Sequence, residues 1–433
     1  MSPAHLSFVG TPIRIDPVHR TSGSRRRFLQ HLAAGAGLVT AWPRALAALE
    51  RRLPPRGADD DEVFWRIVRG EFLIPGDRIY LNVGTLGPQP RVVLDAAIET
   101  MRRVAMTLPP GVDWPELKRR VGLFVGCDPE GLVFPRNTTE GMSFVAHGLE
   151  LKPGDEVLST DHEHVGGISC WQLLAARRGV RLRQLPLPTP ADDPAEIVAR
   201  FRGALTRRTR VISISHVNFT TGLVMPARDI VALCREHGLV SVIDGAHPPG
   251  LLRLNLGELD PDFYASSPHK WLLAPQGTGF LYMRADWRER LWPTLASGGW
   301  DDRSLGAHRF NHLGTFDESR LTGLAAAIGF LETIGMDRVE ARIRALRQRL
   351  AERVAALPGV RVVSPSGPLV AGMVSFEVAG RDALELQRRL AEKGNVRTRV
   401  IGEYDYGWMR LSPHIYNSPE ELDRFVQLLA QEL

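Results

Sequence analysis

A lysine flanked by a histidine and a tryptophan is the residue best placed for covalent chemistry. Lys270 lies in the run Ser266-Ser267-Pro268-His269-Lys270-Trp271. A lysine with aromatic and apolar neighbours loses its proton cheaply, and the neutral amine is the nucleophile that attacks an aldehyde. Ser267 and His269 can donate hydrogen bonds to a phosphate. The segment therefore favours a lysine that attacks an aldehyde, with phosphate-binding groups beside it.

Two earlier segments carry groups suited to a charged, ring-bearing ligand. Asp244-Gly245-Ala246-His247 follows a strand-like run, and a carboxylate there can keep a ring nitrogen protonated, which makes the ring an electron sink. Thr138 and Thr139 follow another strand-like run and open a helix, where free backbone N–H groups bind an anion. Taken alone, a solvated turn or an ordinary helix cap explains each segment about as well. Their weight comes from occurring together with Lys270.

A fourth segment, Asp161-His162-Glu163-His164, places two histidines among carboxylates. A ring at this position can stack on a planar cofactor. The rival interpretation is a metal site in a hydrolase, since imidazoles and carboxylates are both metal ligands. One residue separates His162 from His164, which fits common zinc spacings poorly. We therefore predict a ring-stacking role and no metal site.

The basic charge of the chain is concentrated at its N-terminus. Six of the 54 basic residues and one of the 49 acidic residues lie in residues 1–47, so the remainder carries 48 of each. Because residues 48–433 carry no net charge, they give no support to a basic surface for nucleic acid.

The three cysteines give no sign of a disulfide or a zinc site. Cys127, Cys170 and Cys234 follow no disulfide or zinc spacing, and their apolar neighbours favour a place in the core.

Residues 1–47 have the pattern of an export signal. Arg25-Arg26-Arg27-Phe28-Leu29 precedes a weakly apolar stretch, and Ala45-Leu46-Ala47 supplies an A-x-A cleavage site. The paired arginines resemble a twin-arginine (Tat) signal, the address of a route that exports folded proteins. The apolar stretch is about half the length that spans a bilayer, so we expect no stable membrane anchor. These features predict a periplasmic protein that engages the Tat export machinery and is cleaved near Ala47.

Strand-like and helical patterns alternate through the middle of the chain. Val211–Ser215, Leu239–Ile243 and Phe280–Met283 have the apolar character of buried strands, and Pro226 opens a helix between the first two. This alternation predicts a mostly parallel sheet covered by helices. Polar residues just past the ends of such strands are the expected place for a ligand.

The last third of the chain predicts a smaller α+β unit. Residues 319–357 are strongly helical, Met373–Val378 and Met409–Ser412 predict strands, and Pro419–Leu433 predicts a final helix. We therefore divide the chain into a signal peptide, an N-terminal segment, a large ligand-binding domain and a small C-terminal domain, at residues 1–47, 48–80, 81–305 and 306–433.

In this order along the chain, the segments resemble the class V aminotransferase family of fold-type I pyridoxal-phosphate (PLP) enzymes. The resemblance adds Asn218 before Thr221-Gly222, and it covers nearly all of residues 75–433. Tyr80–Gly84 and Arg410–Asn417 make the isopenicillin N epimerase-like proteins the most similar subgroup. The resemblance implies an α/β fold, with a large domain around a mostly parallel seven-stranded sheet and a smaller α+β C-terminal domain.

The resemblance also implies a role for each matched residue. Lys270 would hold PLP as a Schiff base and shuttle the substrate α-proton, and Asp244 would pair with the pyridine nitrogen. Arg410 would grip the substrate α-carboxylate, a task suited to the planar guanidinium, and Asn82 would line the substrate pocket. The other implied contacts are Thr138, Thr139, Ser267 and His269 at the phosphate, Thr278 at a phosphate across a dimer interface, His164 (or His162 in its place) against the ring, and Asn218 and His247 beside the phenolic oxygen.

The implied protein is an exported, homodimeric PLP enzyme that acts at the α-carbon of an amino acid or a peptide-like substrate, by transamination or epimerisation. A β-eliminating C–S lyase and a non-catalytic PLP-fold binding protein are the alternatives. Cysteine desulfurases of the family use a cysteine on a C-terminal loop, and this chain has no cysteine after Cys234. A persulfide-forming desulfurase is therefore not expected.

Overall fold

The computed structural model describes residues 41–54, 61–107, 111–311 and 313–433. Its α-helices are α1 (Trp42–Arg52), α2 (Asp61–Arg69), α3 (Arg91–Met106), α4 (Trp114–Val125), α5 (Thr138–Gly148), α6 (Val165–Arg178), α7 (Pro194–Ala204), α8 (Ala227–Glu236), α9 (Leu256–Leu259), α10 (Ser319–Ile334), α11 (Met336–Ala355), α12 (Ala383–Gly394) and α13 (Pro419–Ala430). Its strands are β1 (Ile79–Tyr80), β2 (Leu132–Val133), β3 (Glu156–Thr160), β4 (Arg181–Leu185), β5 (Thr209–Ser215), β6 (Val240–Asp244), β7 (Phe263–Ser266), β8 (Phe280–Met283), β9 (Val360–Val362), β10 (Val374–Val378), β11 (Val396–Arg397), β12 (Arg399–Ile401) and β13 (Trp408–Leu411). Short 3₁₀ turns lie at Pro129–Gly131, Ala285–Trp287, Arg303–Asn311, Gly367–Leu369 and Glu403–Asp405.

A seven-stranded sheet in the order β2-β8-β7-β6-β5-β3-β4 forms the centre of the large domain. Strand β8 runs antiparallel to both of its neighbours, β2 and β7, and the other described strand pairs of this sheet are parallel. The predicted mostly parallel seven-stranded sheet is thus confirmed. The strands are rich in valine and isoleucine because helices cover both faces, which is the usual composition of parallel sheets. Ser215 and Asp244 end the adjacent strands β5 and β6, so their side chains emerge at one edge of the sheet.

The small domain is built on an antiparallel sheet in the order β12-β13-β10-β9, with α11, α12 and α13 packed around a separate apolar core. The predicted strands Met373–Val378 and Met409–Ser412 and the predicted helices over 319–357 and 419–433 lie where expected, to within a few residues at their ends, whereas the sequence pattern does not predict β11 and β12. The chain also reaches this domain from its N-terminal side. Strand β1 pairs in parallel with β11, and Asn82 forms a bridge to Ser412. The small domain therefore contains residues from both ends of the described chain.

Helix α1 belongs to the folded body. Trp42, Leu46 and Leu49 are buried in it, and a Cβ placed on Gly329 of α10 would lie 2.7 Å from a methyl carbon of Leu46. The cleavage expected near Ala47 falls inside this helix and would remove Trp42 and Leu46 from the core, so that expectation conflicts with the packing. The paired arginines of the predicted signal lie outside the described residues. No helix in the described ranges is long and apolar enough to cross a membrane.

Candidate functional site

A cavity of about 210 Å³ opens where β5, β6 and β7 end, between the sheet and the small domain. This is the edge at which parallel α/β sheets bind ligands. Nine of the residues predicted for the site line the cavity: Thr138, Thr139, His164, Asp244, His247, Ser267, His269, Lys270 and Arg410. Segments spread over more than half of the sequence therefore converge on one small volume.

Lys270 brings its amine into this cavity just after β7. Burial lowers the pKa of Lys270 to about 8, and the nearby Arg410 adds to this effect while Asp244 opposes it. The Nζ atom lies 3.4 Å from His247 Nε2. The indole N–H of Trp271 donates to His247 Nδ1 at 3.0 Å, so the neutral ring carries its proton on Nε2. His247 thus directs an N–H toward the amine, which suits an amine in its neutral, nucleophilic form.

Asp244 is the buried carboxylate of the site. Burial raises its pKa above the ordinary value, and Lys270 partly offsets this. One oxygen, Oδ1, accepts from the backbone N–H of Ala246 at 2.9 Å. The other, Oδ2, has no hydrogen-bond donor within the described chain, and it lies 2.5 Å from where a Cβ on Gly167 would be. The carboxylate is therefore held in place by α6 with one oxygen free for a cationic N–H donor.

A second buried carboxylate lies behind the first. Glu163 accepts hydrogen bonds from the Ser215 amide (2.8 Å), the Ser215 hydroxyl (2.5 Å) and the Thr160 hydroxyl (2.7 Å). Burial raises the pKa of Glu163 to about 7, and the charge of Asp244 contributes. In the sequence this residue stood out only as part of a histidine-containing segment. The structure places it beneath the cavity floor, bonded to the cavity residue Ser215.

The start of α5 forms the anion-binding end of the cavity. Asn137 caps the helix by accepting from the Glu140 amide, and Thr138 and Thr139 follow it at the cavity wall. Ser267 accepts from the Thr138 amide at 3.0 Å and lies 2.8 Å from the Thr138 hydroxyl. A helix N-terminus with hydroxyls beside it is a ready site for a phosphate. His269 lies at the same end, and burial lowers its pKa to about 4.

Of the two histidines in Asp161–His164, only the second reaches the cavity. His164 caps α6 by accepting from the Gly166 amide at 3.0 Å, and its ring meets Phe219 edge-on at 4.9 Å. His162 is buried elsewhere, 2.7 Å from the Thr220 hydroxyl and stacked on Tyr406. The ring-stacking assignment therefore goes to His164 rather than His162. No group of three histidine, cysteine, aspartate or glutamate side chains suited to a metal occurs in the described ranges.

Arg410 is a fully buried cation without an acidic partner in the described structure. Its guanidinium donates to the Phe219 carbonyl (2.8 Å), the Thr85 hydroxyl (3.1 Å) and the Asn82 carbonyl oxygen (3.4 Å), all of them neutral. Its Nε has no partner there. Burial lowers the pKa of Arg410 to about 9. A desolvated guanidinium held this way is poised to bind an anion from outside the protein.

Three predicted site residues do not line the cavity. Asn82 supports Arg410 instead of lining the substrate pocket, as its hydrogen bond shows. The buried Asn218 lies next to the cavity residue Phe219, and its side-chain amide has no partner within the described chain. Thr278 is fully buried and its hydroxyl donates to the Pro275 carbonyl at 2.6 Å, and its contact to a partner's phosphate stays a prediction.

Sequence reasoning missed several residues of the cavity wall. They are Gly84, Thr85, Asn137, Gly166, Ser215, Phe219, Ala246 and Arg399. Ser215 ends a predicted strand, and that position was a usable signal. Arg399 had no such signal, because only the pairing of β12 with β13 brings it beside Arg410.

This fold is that of the fold-type I PLP enzymes, and the aminotransferase class V family matches residues 114–425. The chain belongs to that family. It is 34% identical over 389 residues to an isopenicillin N epimerase from Streptomyces clavuligerus, covering 84% of this chain and 97% of the relative. It is 28% identical over 418 residues to a cysteine desulfurase from Haloferax volcanii, covering 86% and 96%.

Two solved structures of the protein C-DES are similar in fold. One is a variant with glycine covalently linked to its PLP cofactor, with a TM-score of 0.76 and 26% identity over 84% of this chain and 98% of that chain. The other is described as a cystine C–S lyase in complex with its product, cysteine persulfide, with a TM-score of 0.75 and 27% identity over 82% and 98%. The relatives thus include epimerases, desulfurases and a lyase.

Proposed function

We propose that this chain is a PLP-dependent enzyme that acts at the α-carbon of an amino acid or amino-acid-like group, as an epimerase or an aminotransferase. The observation that carries the proposal is the convergence of the Lys270 amine, the Asp244 carboxylate and the Arg410 guanidinium on one cavity. Family membership and the PLP-containing structural relative support the choice of cofactor.

The residues present fit PLP at each of its polar groups. The free Oδ2 of the buried Asp244 suits a protonated ring nitrogen, because an N–H cation would relieve the unfavourable burial of the carboxylate. The N-terminus of α5 with Ser267 and His269 suits the phosphate. His247 Nε2–H and the unpartnered amide of Asn218 are the donors for the phenolic oxygen. His164 supplies the ring on one side of the cavity.

Each residue then has a separate task. When bound, PLP makes the α-proton of an attached amino group acidic by drawing the resulting charge into its ring. Lys270 would hold the cofactor through its amine, and the free amine, with a pKa of about 8, would be the base for the α-proton. Asp244 keeps the ring nitrogen protonated. Arg410 binds the substrate α-carboxylate and so fixes which bond of the α-carbon faces Lys270.

The three cysteines argue against chemistry that passes through a persulfide on the enzyme's own thiol. Cys170 and Cys234 are buried, Cys127 is partly buried, and none of them lines the cavity. Burial raises the pKa of each thiol to about 12, so the reactive thiolate is disfavoured. This separates the chain from the desulfurase relatives. A β-eliminating C–S lyase is the second candidate, and the similarity to C-DES favours it.

An absorbance spectrum of the purified protein tests the proposal. We expect a visible cofactor band in the wild type that is lost or shifted in Lys270→Ala. A wild type without a lysine-dependent band would overturn the proposal.

Incubation with amino acids in deuterium oxide distinguishes the three candidate reactions. Deuterium at the α-carbon with inversion indicates epimerisation, a keto acid formed only with an amino acceptor indicates transamination, and ammonia release indicates elimination.

The proposal includes a homodimer, which the family resemblance implies and light scattering of the purified protein tests. A monomer at working concentration would contradict the homodimer.

The proposal also includes export to the periplasm by the twin-arginine route, supported by the arginine pair in residues 1–47. Because Trp42 and Leu46 are buried, we place any processing of the leader before Trp42.

A reporter fusion tests the export part. Residues 1–47 joined to a fluorescent protein that folds in the cytoplasm should carry it to the periplasm. Changing Arg25 and Arg26 together to lysine should retain it in the cytoplasm. Equal distribution of the two fusions would contradict a twin-arginine signal.

A further inference from the structure

Arg399 gives the cavity a second cationic wall. It lines the same cavity as Arg410 and lies at the start of β12, one strand away. Its side chain is 34% exposed, so it is open to the cavity as well as to solvent. Nothing in the chemistry of an α-carboxylate requires a second arginine, because Arg410 alone can bind that group through two parallel hydrogen bonds.

The two arginines are direct partners across the strand pair. Arg399 of β12 stands opposite Arg410 of β13, so both side chains leave the sheet on the same face. Like charges directly opposite one another destabilise a sheet. The proximity is felt electrostatically, since Arg399 contributes to lowering the pKa of Arg410 after the larger effect of burial. The fold thus holds an unfavourable pair at the mouth of its binding site.

The described structure neutralises only one member of the pair. Arg410 contacts neutral oxygens and leaves Nε without a partner, although it is only 2% exposed. Arg399 forms an ion pair with Glu403, four residues further along the chain. Glu403 is 26% exposed and begins a short loop in which Tyr404 and Asp405 have left-handed backbone angles. The Glu403 carboxylate, which is partly exposed, therefore already pairs with Arg399 and could be exchanged for another carboxylate.

We propose that Arg399 binds a second carboxylate of the substrate, which makes the substrate class amino acids that carry a further acidic group. This inference rests on the proposed function, in which Arg410 binds the α-carboxylate. In the free protein Glu403 occupies Arg399. The distal carboxylate of the substrate replaces Glu403, so one ion pair is exchanged for another and no uncompensated charge is left in the cavity. A substrate with an uncharged side chain leaves the Arg399–Glu403 pair in place and gains nothing from it.

Unreactive acids test the inference without turnover. Glutarate and adipate carry two carboxylates and no amino group, and pentanoate and hexanoate are their length-matched monocarboxylate controls. Calorimetric titration of the cofactor-loaded enzyme should show the dicarboxylates binding about 10- to 100-fold more tightly, the range expected for a charge-assisted hydrogen-bonded pair. Arg399→Gln should abolish this preference, because it should weaken dicarboxylate binding far more than monocarboxylate binding. Arg397→Gln, an exposed arginine two residues earlier, should keep the preference.

Glu403→Gln gives the opposite sign. Removing the competing carboxylate frees Arg399, so dicarboxylates should bind more tightly to Glu403→Gln than to the wild type. If the Arg399–Glu403 pair were purely structural, both Arg399→Gln and Glu403→Gln would weaken dicarboxylate binding. Equal or undetectable binding of both acid classes by the wild type, or a preference that survives in Arg399→Gln, would overturn the inference. If the preference is absent while the wild type shows its lysine-dependent absorbance band, only the substrate class has failed. A wild type without that band shows that the proposed function has failed instead.

Discussion

Burial, more than any single partner, sets the proton affinity of the residues in the cavity. It lowers the pKa of Lys270 to about 8 and the pKa of His164 to about 3, and it raises the pKa of Asp244. The imidazoles are therefore neutral at physiological pH, and a useful fraction of the lysine is an uncharged amine. Desolvation prepares a nucleophile, neutral N–H donors and a carboxylate in need of a cation within one small volume.

The pKa of Lys270 predicts how the cofactor-free enzyme loads PLP. Only the neutral amine attacks an aldehyde, so the rate of reconstitution should rise with pH and level off above pH about 8. With an unperturbed lysine the reconstitution rate would still be rising above pH about 8, because the ordinary pKa of lysine is about 10.4. Stopped-flow absorbance across this range measures the rate, with Lys270→Ala as the baseline. A rate that keeps rising to pH about 10 would contradict the lowered pKa.

Glu163 predicts a pH-dependent stability effect. Its folded pKa of about 7 lies above the ordinary value of 4.5, so the folded state holds a proton that the unfolded state releases within that window. The wild type therefore loses stability as pH rises from about 4.5 to about 7, by up to about 3 kcal/mol, and Glu163→Gln does not. In urea unfolding, the stability difference between the two proteins should grow from pH about 4.5 to about 7, stay constant above that and be smallest in acid.

The control for this experiment is Glu289→Gln, which changes an exposed carboxylate. Glutamine at position 163 can still accept from the Ser215 amide and can donate to the Thr160 hydroxyl, so the hydrogen bonds survive the change. A constant difference between wild type and Glu163→Gln at every pH would show that the carboxylate is not the titrating group.

At the scale of elements, the cavity lies where strands β5, β6 and β7 end and helices α5 and α6 begin. The approach of α6 to β6 is the tightest of these junctions. Gly167 in α6 leaves room for Asp244, since any Cβ there would lie 2.5 Å from Oδ2. A glycine in a helix costs about 1 kcal/mol relative to alanine, so this one is retained for space.

Gly167→Ala should therefore damage the site more than the fold. The added methyl has to push the Asp244 carboxylate away from the cofactor ring, and we expect kcat to fall about 10- to 100-fold. Overpacking should cost only about 1–3 kcal/mol of stability. Gly203→Ala in α7, where nothing lies within 4 Å, is the matched control and should leave kcat unchanged. Equal kcat in both variants would show that Asp244 has freedom to move.

The elements also explain how far the sequence alone could reach. Thr138, Asp244 and Lys270 each lie in a local motif at a strand end or a helix start, where hydrophobic pattern and residue type mark them as candidates. Their occurrence together and the family resemblance then point to a shared site. Arg399 and Glu403 depend on the register of β12 against β13, and Glu163 on which side of β3 its chain turns. The hydrogen bond from the Thr278 hydroxyl to a nearby backbone carbonyl is likewise a contact that no sequence spacing reveals.

At the scale of the whole molecule, α1 closes the outer surface of α10. The guanidinium of Arg120 lies 5.2 Å from the centre of the Trp42 ring, which ties α1 to α4 as well. Leu46→Ala should therefore destabilise the protein by about 2–4 kcal/mol, the usual cost of truncating a buried leucine. Ala45→Ser, on the exposed side of the same helix, should change stability by less than about 0.5 kcal/mol. Urea unfolding of the two variants makes the comparison, and equal stability would show that α1 is dispensable.

The junction between the chain ends has a consequence in time. Asn82 and Thr85 bond to Arg410, more than 300 residues later, whereas the cofactor end of the cavity lies between Thr138 and Lys270. The ribosome therefore synthesises every segment of this end of the cavity well before it synthesises Arg410, which is among the last residues made. Domains tend to fold as they emerge during synthesis, N-terminal first. The cavity wall between Thr138 and Lys270 can therefore begin to fold before the guanidinium of Arg410 is there to complete the site.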